Sequence, residues 1–119
     1  MYGLPEDFNP TGFIGRTVEI VSFTANTLHL GFDGGYSLTV ESSFEHGHEG
    51  HGAQTLRFGV PVTDSGLMSL VGRSVVAAKA EKPGTLYLRF ADGQAFRCFD
   101  DSEEYESYRV NCGRTEIIV

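Results

Sequence analysis

Two short stretches hold the residue types best able to do chemistry. The first, Phe44-Glu45-His46-Gly47-His48-Glu49-Gly50-His51-Gly52, gathers three of the four histidines within six residues, beside Glu45 and Glu49. Imidazoles at i and i+2 point to one side of an extended chain, and a third on a glycine turn could complete a site. Three nitrogen ligands plus a carboxylate or water suit zinc, nickel or copper, which makes His46, His48 and His51 the candidate metal ligands. The competing reading is a solvated, Gly-rich connecting loop spanning about residues 44–53. Histidine-rich tracts are compositional signals until partners that orient the rings are in place.

The second stretch is Asp100-Asp101-Ser102-Glu103-Glu104-Tyr105-Glu106-Ser107-Tyr108, with five acids in seven residues and two tyrosines close behind. Like charges so crowded repel one another unless a cation or a partner relieves them. Tyrosine supplies rigid amphipathic contact area of the kind found at interface hot spots. Asp100, Asp101, Glu103, Glu104, Tyr105, Glu106 and Tyr108 are therefore the candidate partner-binding residues. The alternative is a solvated turn whose Tyr105 and Tyr108 pack on the body of the domain. The spacing is not that of an EF-hand loop.

Neither stretch belongs to a recognisable catalytic set. There is no Ser-His-Asp or Cys-His arrangement and no phosphate loop, so catalysis is not expected and no catalytic residue is assigned. Formal net charge is −7, from 16 acids against 9 bases. That balance makes nucleic acid an unsuitable ligand, because phosphate neutralisation needs clustered Lys and Arg. It favours a basic protein partner, since complementary fields speed association. Cys98 and Cys112 have neither metal spacing nor the look of a disulfide framework. They could form one bridge if the fold brought them together, but are expected as reduced thiols. The N-terminus has no basic and apolar leader pattern, and no run approaches the roughly 18 apolar residues of a membrane span. The expectation is a soluble, cytoplasmic protein.

The elements that must position these stretches are written twice. Phe13-Ile14-Gly15-Arg16-Thr17-Val18 returns as Leu70-Val71-Gly72-Arg73-Ser74-Val75, and Thr27-Leu28-His29-Leu30-Gly31-Phe32 returns as Thr85-Leu86-Tyr87-Leu88-Arg89-Phe90. The offsets, 57 (72 minus 15) and 58 (86 minus 28), differ by one residue, assigned to Pro83-Gly84. Repeats at about 13–43 and 70–101 follow, within a single domain over 1–119. Each reads as a three-stranded meander. In the first, Val18, Ile20 and Phe23 alternate with polar residues. Leu28, Leu30 and Phe32 share one face, Asp33-Gly34-Gly35 makes a turn that needs positive φ, and Tyr36, Leu38 and Val40 return. In the second, Leu86, Leu88 and Phe90 replace the first set, and Phe96 and Cys98 replace Leu38 and Val40. The two Gly-Arg pairs are expected to be structural, with the arginine lying over the sheet or paired with an acid.

Residues 54–60 read as a further strand. Asp64 or Ser65 could cap one short helix through Leu70, with Leu67, Met68 and Leu70 packed inward. Residues 105–110 and 114–119 read as a last hairpin about Asn111-Cys112-Gly113. The fold class is all-β: two repeated three-stranded meanders forming a small sandwich or barrel, with at most one short helix and a C-terminal hairpin.

From about Gly12 to Val119 the chain resembles a family of small duplicated β-domain proteins of uncharacterised function from bacteria, often actinobacteria. The resemblance rests on the two Gly-Arg-(Thr/Ser)-Val segments, the two Leu-x-Leu-x-Phe hairpins and the ending Tyr105-Glu106-Ser107-Tyr108-Arg109-Val110. It departs from that pattern at Tyr108, where relatives commonly carry tryptophan, and in lacking a terminal Pro-Gly-Gly segment. Proteins of this look are suspected immunity proteins of polymorphic toxin systems. The resemblance implies an immunity-type protein that neutralises a cognate, basic bacterial toxin domain by blocking its active surface. The alternative is a metal-binding or metal-sensing module on His46, His48 and His51, with zinc or nickel as its ion. A third possibility is a domain that self-associates through an exposed sheet edge.

Overall fold

In a computed structural model, residues 4–5, 8–25, 27–48, 56–59, 66–81, 84–100 and 107–119 are described, with the backbone alone at 48 and 56–59. Among them are ten strands: β1 (Val18–Phe23), β2 (Leu28–Phe32), β3 (Tyr36–Val40), β4 (Ser43–His48), β5 (Leu56–Gly59), β6 (Val75–Glu81), β7 (Thr85–Phe90), β8 (Gln94–Cys98), β9 (Tyr108–Cys112) and β10 (Thr115–Ile118). They form two antiparallel five-stranded sheets, in the orders β1-β2-β3-β9-β10 and β5-β4-β8-β7-β6. Helical structure in the described residues is confined to short 3-10 turns, Pro10–Phe13, Asp33–Gly35 and Gly66–Leu70. The protein is all-β, and one core holds the inward residues of both sheets, including Leu28, Leu30, Leu38, Leu86, Leu88, Phe90 and Phe96.

The duplicated meanders are β1-β2-β3 and β6-β7-β8, one to a sheet. Each sheet is completed by a hairpin from the other half of the chain. The β4–β5 hairpin follows the first meander but pairs with β8, Phe44 opposite Cys98. The β9–β10 hairpin follows the second meander but pairs with β3, Tyr108 opposite Val40. The repeat therefore extends beyond 13–43 and 70–101 to a turn, a meander and an exchanged arm, with Phe44 and Tyr108 as counterparts.

The halves meet at the two Gly-Arg segments. Thr17 and Ser74, equivalent residues, form a β-bridge, and their hydroxyls lie 3.0 Å apart. Around them the backbone bonds come in matched pairs: Gly15 N–H to Val75 O and Gly72 N–H to Val18 O, both 2.8 Å, then Val18 N–H to Arg73 O at 3.0 Å and Val75 N–H to Arg16 O at 2.9 Å. Gly15 and Gly72 hold φ of 88° and 87°, in the left-handed region where a Cβ is costly. Their recurrence in the sequence reflects this reciprocal junction, which joins the sheets along one corner.

Several expectations change for local reasons. Ile20 does not share the core face with Val18. A bulge between Val18 and Ile20 adds one residue and flips the alternation, so Val21 packs on the core and Ile20 is 56% exposed. An equivalent bulge lies between Val75 and Ala77. The turn at Gly66–Leu70 is 3-10, with three residues per turn. Leu67 and Leu70 therefore face the core together, while Met68 points out, 61% exposed. Residues 44–48, placed within the connecting loop from sequence, belong to strand β4; the remaining loop residues, 49–53, lie outside the described set.

Candidate functional site

The described part of the histidine stretch is built into the sheet. On β4, Phe44 and His46 point inward and are buried, with Phe44 stacked on Phe96 at a centroid separation of 5.4 Å. His46 lies opposite Phe96 on β8, and its Nε2 is 2.7 Å from Gln94 Oε1. An amide oxygen only accepts, so Nε2 carries the proton. The Gln94 amide nitrogen donates to Asp92 Oδ2 at 2.7 Å, and Arg73 Nε lies 3.2 Å from the same oxygen. The Ser69 hydroxyl is 3.0 Å from Gln94 Oε1.

The result is a polar chain running from the buried imidazole to a surface ion pair. Burial raises the Asp92 carboxyl, but hydrogen bonds from the Gln94 side chain and backbone, with the Arg73 charge, outweigh it and hold the group below the ordinary carboxylate value. Because Nε2 is engaged by Gln94, any metal at His46 has to use Nδ1. His48 is described in its backbone alone and His51 lies outside the described residues. Among the described residues no group of three or more His, Cys, Asp or Glu side chains is placed to hold a metal ion.

The equivalent corner of the other half is built differently. Arg16 lies over the Tyr36 ring at 4.2 Å, Tyr36 packs edge-on against Phe13 at 5.0 Å, and Asp33 accepts from the Thr17 N–H at 2.7 Å. Tyr36 and Gln94 are counterparts, as are Val110 and His46. The fold thus fills one position with valine and the other with a hydrogen-bonded imidazole. Of the two arginines, one lies over a ring and the other pairs with an acid, both of which the sequence allows.

The acidic stretch is described only at its ends. Asp100 accepts from the Ser107 hydroxyl at 2.9 Å. The Ser107 N–H donates to Val119 O at 2.7 Å, and Glu41 N–H donates to Ser107 O at 2.9 Å. Tyr108 is not a surface contact. It is fully buried, and its hydroxyl donates to Gly84 O at 2.7 Å. Burial, with the nearby Cys98 and Asp100, pushes its phenol far above the ordinary value. Its face follows from pairing with the buried Val40 on β3, which turns the Tyr108 ring into the core beside Val110. Asp101, Glu103, Glu104, Tyr105 and Glu106 lie outside the described residues.

Cys98 and Cys112 are free thiols, on strands of different sheets. Burial raises the Cys98 thiol strongly and the Cys112 thiol less. The residue that sequence reading passed over is Gln94. Its signal was available: it breaks an otherwise apolar inward set at the place where the first repeat has Tyr36.

Residues 10–119 match the model of a family of unknown function, DUF6188. The chain belongs to that family. The match begins at the first 3-10 turn and takes in both halves and both exchanged arms, so the whole interlocked unit lies within the DUF6188 region. No curated protein and no solved structure matches the chain. No helix among the described residues is long and apolar enough to cross a membrane.

Proposed function

We propose that this DUF6188 protein is an immunity-type inhibitor that acts in the cytoplasm, binding a basic toxin domain and blocking its active surface without catalysis. The observation that carries the reading is the crowding of five acids between Asp100 and Glu106 in a chain of net charge −7. Anionic charge so concentrated attracts a basic partner and accelerates encounter. The anchoring of Asp100 to Ser107, and of Ser107 to Val119 and Glu41, supports the reading because it ties both ends of the segment to the body. A contact segment tied at its ends loses less freedom on binding. Tyr105 and the acids Asp101, Glu103, Glu104 and Glu106 remain the contact candidates, while Asp100 and Tyr108 hold the segment in place.

The test begins by using the chain as bait to recover a basic partner, then measures affinity for that partner against ionic strength. Asp101→Lys with Glu104→Lys should weaken binding at least tenfold at low salt and flatten the salt dependence. Unchanged affinity in the double variant would remove the acidic segment from the interface, and the absence of any basic partner would remove the immunity reading. The rival, metal binding at His46, His48 and His51, is separated by calorimetric titration with zinc. Micromolar or tighter binding that disappears in the triple His→Ala variant would favour it.

A further inference from the structure

We propose that the C-terminal arm, β9–β10, can be exchanged between two copies of this chain, giving a two-fold dimer in which each arm completes the partner's first sheet. The proposal is independent of the toxin reading.

Arm exchange is already how the monomer is put together. The third strand of each meander, β3 or β8, receives a hairpin that belongs to the other half of the chain. The bonds that hold β9–β10 run between the arm and the body. Tyr36, Ser37, Leu38, Thr39 and Val40 pair with Cys112 through Tyr108. Arg109 reaches Glu41 at 3.2 Å, the Asn111 amide donates to Ser37 Oγ at 3.3 Å, and the Tyr108 hydroxyl donates to Gly84 O. None of these needs the arm and the body to come from one chain. A closed monomer and an exchanged dimer therefore share this interface and differ in the connecting segment and the entropy of association, the situation in which swapping costs little.

The two arms differ in their tethers. Only Glu41 and Ser42 separate β3 from β4, whereas residues 99–107 separate β8 from β9. Fully extended, that nine-residue connection reaches about 30 Å, comparable with the 33 × 28 × 25 Å extents of the molecule. Moving β4–β5 in trans would carry β6, β7 and β8 with it, because they follow that arm in the chain.

The experiment is to refold the wild-type chain from denaturant at high concentration and measure its mass by light scattering. A species of twice the 13.0 kDa chain mass is expected beside the monomer, and on dilution it should dissociate at the rate of unfolding. A monomer at every concentration overturns the proposal, as does a dimer that dissociates at once. A second measurement uses Ser37→Cys with Asn111→Cys in a Cys112→Ser background, placing a disulfide between β3 and β9. Oxidation of the dimer fraction should link two chains covalently, and exclusively intrachain links in that fraction would also overturn the proposal.

Discussion

Tyr108→Phe removes one oxygen from the centre of the molecule and tests what that oxygen does. The hydroxyl donates to Gly84 O inside the core, so its loss leaves a buried carbonyl short of a partner. The expected cost is about 1–3 kcal/mol, read as a lower denaturant midpoint with unchanged slope; an unchanged midpoint would mean that water satisfies Gly84 equally well. Asp92 makes a prediction in pH. Its folded value lies below the ordinary one, so the unfolded chain takes up a proton first as pH falls. Its contribution is complete above the unfolded carboxylate value, about 3.9, and is lost as pH drops through the lower folded value. Asp92→Asn should therefore flatten the acid limb of the stability curve below about pH 4 and reduce stability at neutral pH. The two thiols should also differ. Cys98 is buried and held protonated, so in native protein a thiol reagent at neutral pH should modify only Cys112, with Cys98 reacting on unfolding.

Among elements, the Thr17–Ser74 hydroxyl contact sits at the centre of the junction between the two sheets, and a double-mutant cycle measures what it adds to the backbone bonds around it. Thr17→Val and Ser74→Ala should each destabilise, and together by less than their sum, with a coupling of about 0.5–1.5 kcal/mol. Strict additivity would mean that the surrounding backbone bonds hold the junction without the hydroxyls. Much of this level was legible in the sequence. The repeats, the alternation of Leu28, Leu30 and Phe32 and its copy in Leu86, Leu88 and Phe90, and the glycine turn after Phe32 are local patterns with local causes. The bulges were not legible, because Val18-Glu19-Ile20 reads as regular alternation and only pairing with β2 reveals the additional residue. The destination of the arms was not legible either. The face that Tyr108 presents is decided by Val40, 68 residues earlier (108 minus 40), and no periodicity within β9 carries that information. For the candidate site the balance is similar. The acidic run is plain in the composition, but the inward turn of His46 follows from its pairing opposite Phe96 on the neighbouring β8, where Gln94 satisfies its ring nitrogen.

At the scale of the molecule, interlocking makes the two repeats one folding unit. Removal of β9–β10 leaves β3 without its neighbour in the first sheet, and removal of β4–β5 does the same to β8 in the second. Either half alone would leave core residues such as Leu38 or Phe96, both fully buried, with part of their cover missing. The two repeats should therefore unfold together although each reads as a complete meander. Leu30→Ala lies in the first half and Leu88→Ala in the second, at equivalent fully buried positions. Each should cost about 2–5 kcal/mol and shift a single transition, with far-ultraviolet circular dichroism and tyrosine fluorescence moving in step. Two transitions, one sensitive to each substitution, would show that the halves are autonomous and that the exchanged arms are decoration. Folding should also be slow for the size of the chain. Both sheets close only when strands from opposite halves meet, as Tyr36 does with Cys112, 76 residues away (112 minus 36), and the entropy of bringing such ends together comes before the contacts that reward it.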